Sequence, residues 1–299
     1  MSRIRIVTDS AAHFLDPAFA AREQVEVLPH VISFGTQNFR EPELSPTECF
    51  RLMASQPPIL TAPSVDQFVR VYSSLMRETD SILSIHVSQT MSATCANARA
   101  AAQQLLGRCT VHVLDSMTAS LGLGFLVELA ARQVGSAESL DNLARIVRKQ
   151  TARVYSMFYT ERLDYLQRAG LLSESHTTVG EMLGIKPLVT IEDGQLVATE
   201  KVRTRVQALD KLVEFVAEFD PASDRLVIVH HNATAHAPLG ETVRTLQSRL
   251  TAELRWPTLP SVPYSPSLGV FLGPDAVGVI IYQEPNSGTA DGFSSERSA

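Results

Sequence analysis

Cysteine is scarce in this chain: 299 residues contain three, Cys49, Cys95 and Cys109, with no metal-ligand spacing among them. An odd, sparse set argues against a disulfide framework and predicts reduced thiols in a cytosol. Positive charge is not in excess either. Lys plus Arg number 26 against 32 Asp plus Glu, a formal charge of −6, so a dedicated nucleic-acid binder is not expected. Apolar runs are short. The longest, residues 119–131, carries Glu128 and falls well below the roughly 20 residues of a membrane span. The N-terminus enters a strand pattern at once, without the apolar core of a signal peptide. A cytoplasmic protein with no transmembrane segment is the expectation.

Several chemical signatures are missing as well. No Walker loop is present, and no G-x-S-x-G elbow. Gly122-Leu123-Gly124 lacks the third glycine and acidic partner of a dinucleotide fingerprint, so close helix packing is the expected role. His230, His231 and His236 match no zinc spacing. Neither a metal nor another cofactor is expected, and no catalytic residue is assigned.

What is present is alternation. The first half reads as strands over 4–7, 25–34, 81–87 and 111–114. Helix signals lie between them: a stretch from Ala11, capping boxes at Ser45-Pro46-Thr47-Glu48 and Ser64-Val65-Asp66-Gln67, and runs over 96–106 and 123–134. Strands alternating with helices predict a mainly parallel sheet flanked by helices. The second half changes rhythm. Ser136 is expected to cap a helix reaching 150; a strand over 154–159, a short helix over 161–167 and another capping box at Thr178-Val179-Gly180-Glu181 follow. Strands over 186–192 and 195–202 around Asp193-Gly194 read as a hairpin, followed by helices over 206–219 and 239–254 and strands over 226–229 and 276–282. The expected architecture is two-domain α/β: residues 1–150 around the parallel sheet, residues 151–284 around a mixed sheet, and a disordered tail over 285–299.

Three first-half strands end in hydroxyl-bearing turns: Thr8-Asp9-Ser10, residues 88–94, and Asp115-Ser116. Ligands of open α/β sheets lie beyond the carboxyl ends of the strands, and helix starts there favour an anion. Ser92-Ala93-Thr94 is the best such site because small residues allow close approach. The plain alternative is that all three turns cap helices. Thr61, next to the capping Ser64, has no evident structural task. Lys201-Val202-Arg203-Thr204-Arg205 ends the hairpin with three cations, as a solvated face or a partner-facing patch.

In order along the chain, Val7-Thr8-Asp9-Ser10, Thr61-Ala62-Pro63-Ser64, residues 88–94, Val113-Leu114-Asp115-Ser116, Leu163-Asp164-Tyr165-Leu166, residues 183–188, Asp193-Gly194, Lys201-Val202-Arg203-Thr204 and Gly273-Pro274 resemble the DegV family over about residues 3–283. The resemblance implies a long-chain fatty acid held between and within two α/β domains. It also implies a separate fatty acid kinase as partner, which makes acyl phosphate for phospholipid synthesis from the presented carboxylate. Burying roughly a dozen methylenes is worth about 10 kcal/mol before association costs. By resemblance, Thr61 and Ser92 are head-group ligands, with Ala93, Thr94, Ser116 and Phe271 around them, and Arg203 falls on the arginine linked to the kinase-facing region. The chain departs from the family at the head-group. The family's Thr-Ser pair falls on Leu60 and Thr61, its S-G-T glycine on Ala93, its H-x-G-P-G histidine on Phe271 and the last glycine of that motif on Asp275. Phenylalanine cannot hydrogen-bond a carboxylate. Two other functions compete: a lipid sensor that does not deliver to a kinase, and a hydrolase using Ser92 or Ser116. The hydrolase lacks an evident base, because His86 and His112 fall within strands.

Overall fold

A computed structural model describes residues 4–170, 172, 183–230, 238–257 and 259–284. The capping box at 178–181, His231, His236 and the tail at 285–299 lie outside the described residues. The first half runs β1 (Arg5–Asp9), α1 (Phe19–Arg22), β2 (Glu26–Leu28), β3 (Val31–Phe34), β4 (Gln37–Arg40), α2 (Pro46–Met53), β5 (Pro58–Thr61), α3 (Val65–Leu75), β6 (Ser81–His86), α4 (Thr94–Gln103), β7 (Thr110–Asp115), α5 (Leu121–Gln133) and α6 (Leu140–Gln150). The second runs β8 (Val154–Thr160), α7 (Leu163–Arg168), β9 (Lys186–Glu192), β10 (Gln195–Val202), α8 (Arg205–Val216), β11 (Arg225–His230), α9 (Pro238–Leu254), β12 (Ser261–Pro263), α10 (Pro266–Leu272) and β13 (Ala276–Tyr282).

The architecture is two-domain α/β. Strands β2-β1-β6-β7 form a wholly parallel sheet, and its side chains alternate between two covered faces. Ile6, Leu83 and Ile85 pack on α5 and α6, whereas Val7 and Ile82 pack on α3 and α4. The second sheet, β10-β9-β8-β13-β11-β12, is mixed: its pairs are antiparallel except β11 with β12. Met157, Tyr159, Val277 and Ile228 pack under α8 and α9. Its other face, through Phe158, Val189, Val227 and Ile280, packs on Leu121 and Phe125 of α5, Ile32 and Phe34 of β3, and helices α2, α7 and α10. One core therefore spans both halves of the chain. Helix α5 lies between this core and that of the first sheet, and nine of its residues are buried, glycines included. A helix apolar around most of its circumference suits that position.

The structure differs from the sequence expectations in five respects. The run 25–34 is two strands in different sheets, because Pro29 interrupts the ladder: β2 pairs with β1, while β3 pairs with β4 and β5 in a separate antiparallel sheet. Strands β4, β5 and β12 and helix α10 were not expected from their sequence. The helix expected from Ala11 begins only at Phe19, since Asp9 turns back onto the Ala11 N–H (3.0 Å) and Ala12 bridges to Ser120. Helix α6 is capped by Ser139 rather than Ser136, its Oγ accepting from Asn142 N (3.1 Å). Both first-half capping serines hold. Ser64 and Gln67 form a reciprocal box, but Glu48 turns to Arg51, leaving Ser45 to cap α2 alone.

Candidate functional site

The carboxyl ends of β1, β2 and β6 converge on buried polar side chains. Asp9, fully buried at the end of β1, accepts from His86 Nδ1 at 2.9 Å and from the backbone N–H groups of Ala11 and Val87 at 3.0 Å. Behind it the chain of contacts continues from His86 Nε2 to Ser84 Oγ (2.7 Å) and on to Tyr72 OH (2.8 Å). In front stands His30, also fully buried, placed there by the break at Pro29. Its Nδ1 lies 3.3 Å from Ser10 Oγ and 3.7 Å from both Asp9 Oδ1 and Glu41 Oε2. Its Nε2 lies 3.1 Å from Thr94 Oγ1 and 3.3 Å from Ser92 Oγ, and those two hydroxyls are 2.7 Å apart. Glu41 accepts from Ser10 Oγ at 2.5 Å and from the Ser267 N–H of α10 at 2.7 Å.

The two carboxylates respond differently to burial. Burial pushes the Asp9 carboxyl upward, but the His86 hydrogen bond, the nearby imidazoles and the Val87 N–H outweigh it and hold it below its ordinary value. For Glu41, burial wins over His30 and its hydrogen bonds, and the carboxyl is raised. The thiols of Cys49 and Cys95 are pushed up to about 12 by burial, so neither offers a thiolate.

A narrow cavity of about 10 Å³, room for little more than one water molecule, lies beside this cluster. Ala11, Leu60, Val87, Met91, Ala119, Leu268 and Phe271 supply its apolar wall, and His30, Ser92 and Ser267 its polar one. A second compartment of about 180 Å³, lined by Thr90, Ala169, Gln195 and Leu196, shares Met91 and Phe271 with it. The hairpin turn at Asp193-Gly194 closes over this region, with Thr90 Oγ1 donating to Gly194 O (2.5 Å). A wider groove lined by Ile4, Asp80, Ser81 and Leu140 lies at the amino ends of β1 and β6, the wrong end of a parallel sheet for a ligand.

Of the residues singled out from sequence, Ser92, Thr94 and Phe271 are brought to this place, Thr94 through its contact with His30. Thr61 is exposed on β5, and its neighbour Leu60 lines the cavity instead. Ala93 is exposed at the start of α4. Ser116 is buried in its own turn, donating to Thr118 O (3.0 Å) and accepting from Thr118 N (3.3 Å). Arg203 is exposed just beyond β10. Sequence reasoning missed His30 and Glu41. The signal for His30 was a polar residue directly after a proline inside an apolar run. Gly122 and Gly124 do serve close packing: a Cβ on Gly124 would fall 1.9 Å from His13 O. Among the described residues no helix is long and apolar enough to cross a membrane.

Comparison with known proteins gives the family and the fold. The family model described as "Uncharacterised protein, DegV family" matches residues 3–284. A DegV domain-containing protein of Streptomyces coelicolor is 30% identical over 289 residues, covering 94% of this chain and 99% of that protein. A solved structure described as fatty acid binding of a DegV family protein from Thermus thermophilus superposes with a TM-score of 0.80 at 26% identity, over 94% of this chain and 100% of the other. A DegV family protein from Streptococcus agalactiae shares the fold, with a TM-score of 0.83 at 22% identity over 95% and 100% of the two chains. The chain belongs to the DegV family.

Proposed function

We propose that this protein binds a long-chain fatty acid in the cavity beside His30 and Ser92 and presents the carboxylate to a separate kinase. The observation that carries the reading is the cavity's polarity. Its walls are aliphatic and aromatic except at one end, where hydroxyls and an imidazole gather beyond the strand ends, as an amphiphile requires. The Thermus thermophilus relative, described as fatty acid binding, supports the same ligand class. Ligand pockets commonly measure roughly 300–1,000 Å³, more than the two compartments together hold as they stand. A long tail therefore needs the second compartment too, reached by turning aside Phe271 and the flexible Met91 in their common wall. Arg203, exposed beyond the hairpin, is the proposed contact for the kinase. Ser92 and Thr94 are the proposed hydroxyl ligands; Thr61 and Ser116, facing elsewhere, are not carried forward. No catalytic residue or cofactor is assigned to the chain itself. A division into domains near residue 150 and a cytosolic location, in keeping with three buried free thiols, complete the proposal.

Denaturing mass spectrometry of protein purified from bacteria tests it. A stoichiometric long-chain fatty acid is expected; empty protein that takes up no added lipid would refute the reading. Acyl phosphate formed on adding a fatty acid kinase and ATP is expected in turn, and its absence would favour a lipid sensor.

A further inference from the structure

Resting on the lipid reading above, we propose that His30 anchors the acidic end of the bound lipid, its Nε2–H donating to the carboxylate between the hydroxyls of Ser92 and Thr94. His30 and Ser92 share the cavity wall with Leu60 and Phe271. Neither leucine nor phenylalanine can hold an anion, and His30 is the titratable group on that wall.

The ring is held for the task from behind. Ser10 donates its one proton to Glu41 Oε2, so Ser10 Oγ is left to accept from the His30 backbone N–H (2.8 Å) and from Nδ1–H (3.3 Å). Nε2 is thereby turned toward Ser92 and Thr94. A neutral ring accepts from those hydroxyls. With both ring nitrogens protonated Nε2 becomes a donor, while Nδ1 faces Asp9 Oδ1 and Glu41 Oε2, each at 3.7 Å. The resulting charge-assisted bond is the strong kind.

The same two carboxylates oppose an incoming anion, so their state decides the outcome. Asp9 is already met by His86 and two backbone N–H groups. Glu41 is likewise met, by the Ser10 hydroxyl and the Ser267 N–H. Both lie on the Nδ1 side of the ring, whereas the ligand meets Nε2. Attraction therefore acts over the shorter distance.

The experiment compares palmitic acid with cetyl alcohol, which has the same tail and no carboxylate, by equilibrium competition on the full chain. Wild-type protein is expected to prefer the acid. His30→Gln is expected to lose about tenfold or more in acid affinity while alcohol affinity stays within about twofold. An acid preference that survives in His30→Gln would overturn the proposal. Should that variant fail to fold, ¹⁵N spectra of the wild-type imidazoles decide: the His30 Nε2 signal is expected to move with the acid and not with the alcohol, and an unmoved signal refutes the anchor. Wild-type protein that binds neither compound would instead refute the lipid reading itself, and the anchor with it.

Discussion

Asp9 and Glu41 flank one imidazole, yet their carboxyls shift in opposite directions. The signs give separate pH windows. A lowered carboxyl such as Asp9 contributes stability above its ordinary value of 3.8, lost as pH falls through the folded value. A raised carboxyl such as Glu41 contributes stability below its ordinary value of 4.5, lost as pH rises through the folded value. Thermal denaturation followed as pH rises from 4.5 should therefore show wild-type stability declining through Glu41, and Glu41→Gln should flatten that decline. A variant that declines as steeply as wild type would contradict the assignment. At this scale the sequence exposed half of the site. Ser92 and Thr94 were visible because hydroxyls cluster where a strand feeds a helix. His30 and Glu41 were not, because their meeting depends on Pro29 breaking a strand and on a 3₁₀ turn, Glu41–Glu43, reaching back across it.

The hairpin of β9 and β10 was fully legible, since Asp193-Gly194 between alternating runs dictates its turn. What it touches was not. Gly194 has φ +80°, and a Cβ there would fall 2.4 Å from Ser88 Oγ and 3.4 Å from the Met117 backbone. Gly194→Ala should therefore cost about 1–2 kcal/mol from the left-handed backbone alone, with further loss from the clash. A lowered urea midpoint at unchanged m-value would register it; an unchanged midpoint would contradict the packing. The antiparallel sheet of β3, β4 and β5 escaped sequence reading for a different reason. Its strands have four residues each, and β4, Gln-Asn-Phe-Arg, has too little apolar patterning to declare itself.

Across the whole molecule, Glu128 of α5 binds the two halves electrostatically. It accepts from Arg225 of β11 at 3.1 and 3.2 Å and from Arg132 at 3.0 Å, and Arg225 also stacks 4.4 Å over Phe125. The carboxylate is buried, but the Arg225 side chain is 26% exposed. Water can therefore recover part of what Glu128→Ala removes. The expected loss is about 1–3 kcal/mol, below the 3–5 of a fully buried pair. Chemical denaturation of the variant measures it, and a loss under about 0.5 kcal/mol would class the pair with ordinary surface contacts.

Helix α5 has no side to spare: one flank completes the parallel layer and the other completes the mixed one. Halves made as separate polypeptides would each bear a bare oily surface and tend to clump. The proposed partition near residue 150 would then be one of layout, not of independent manufacture.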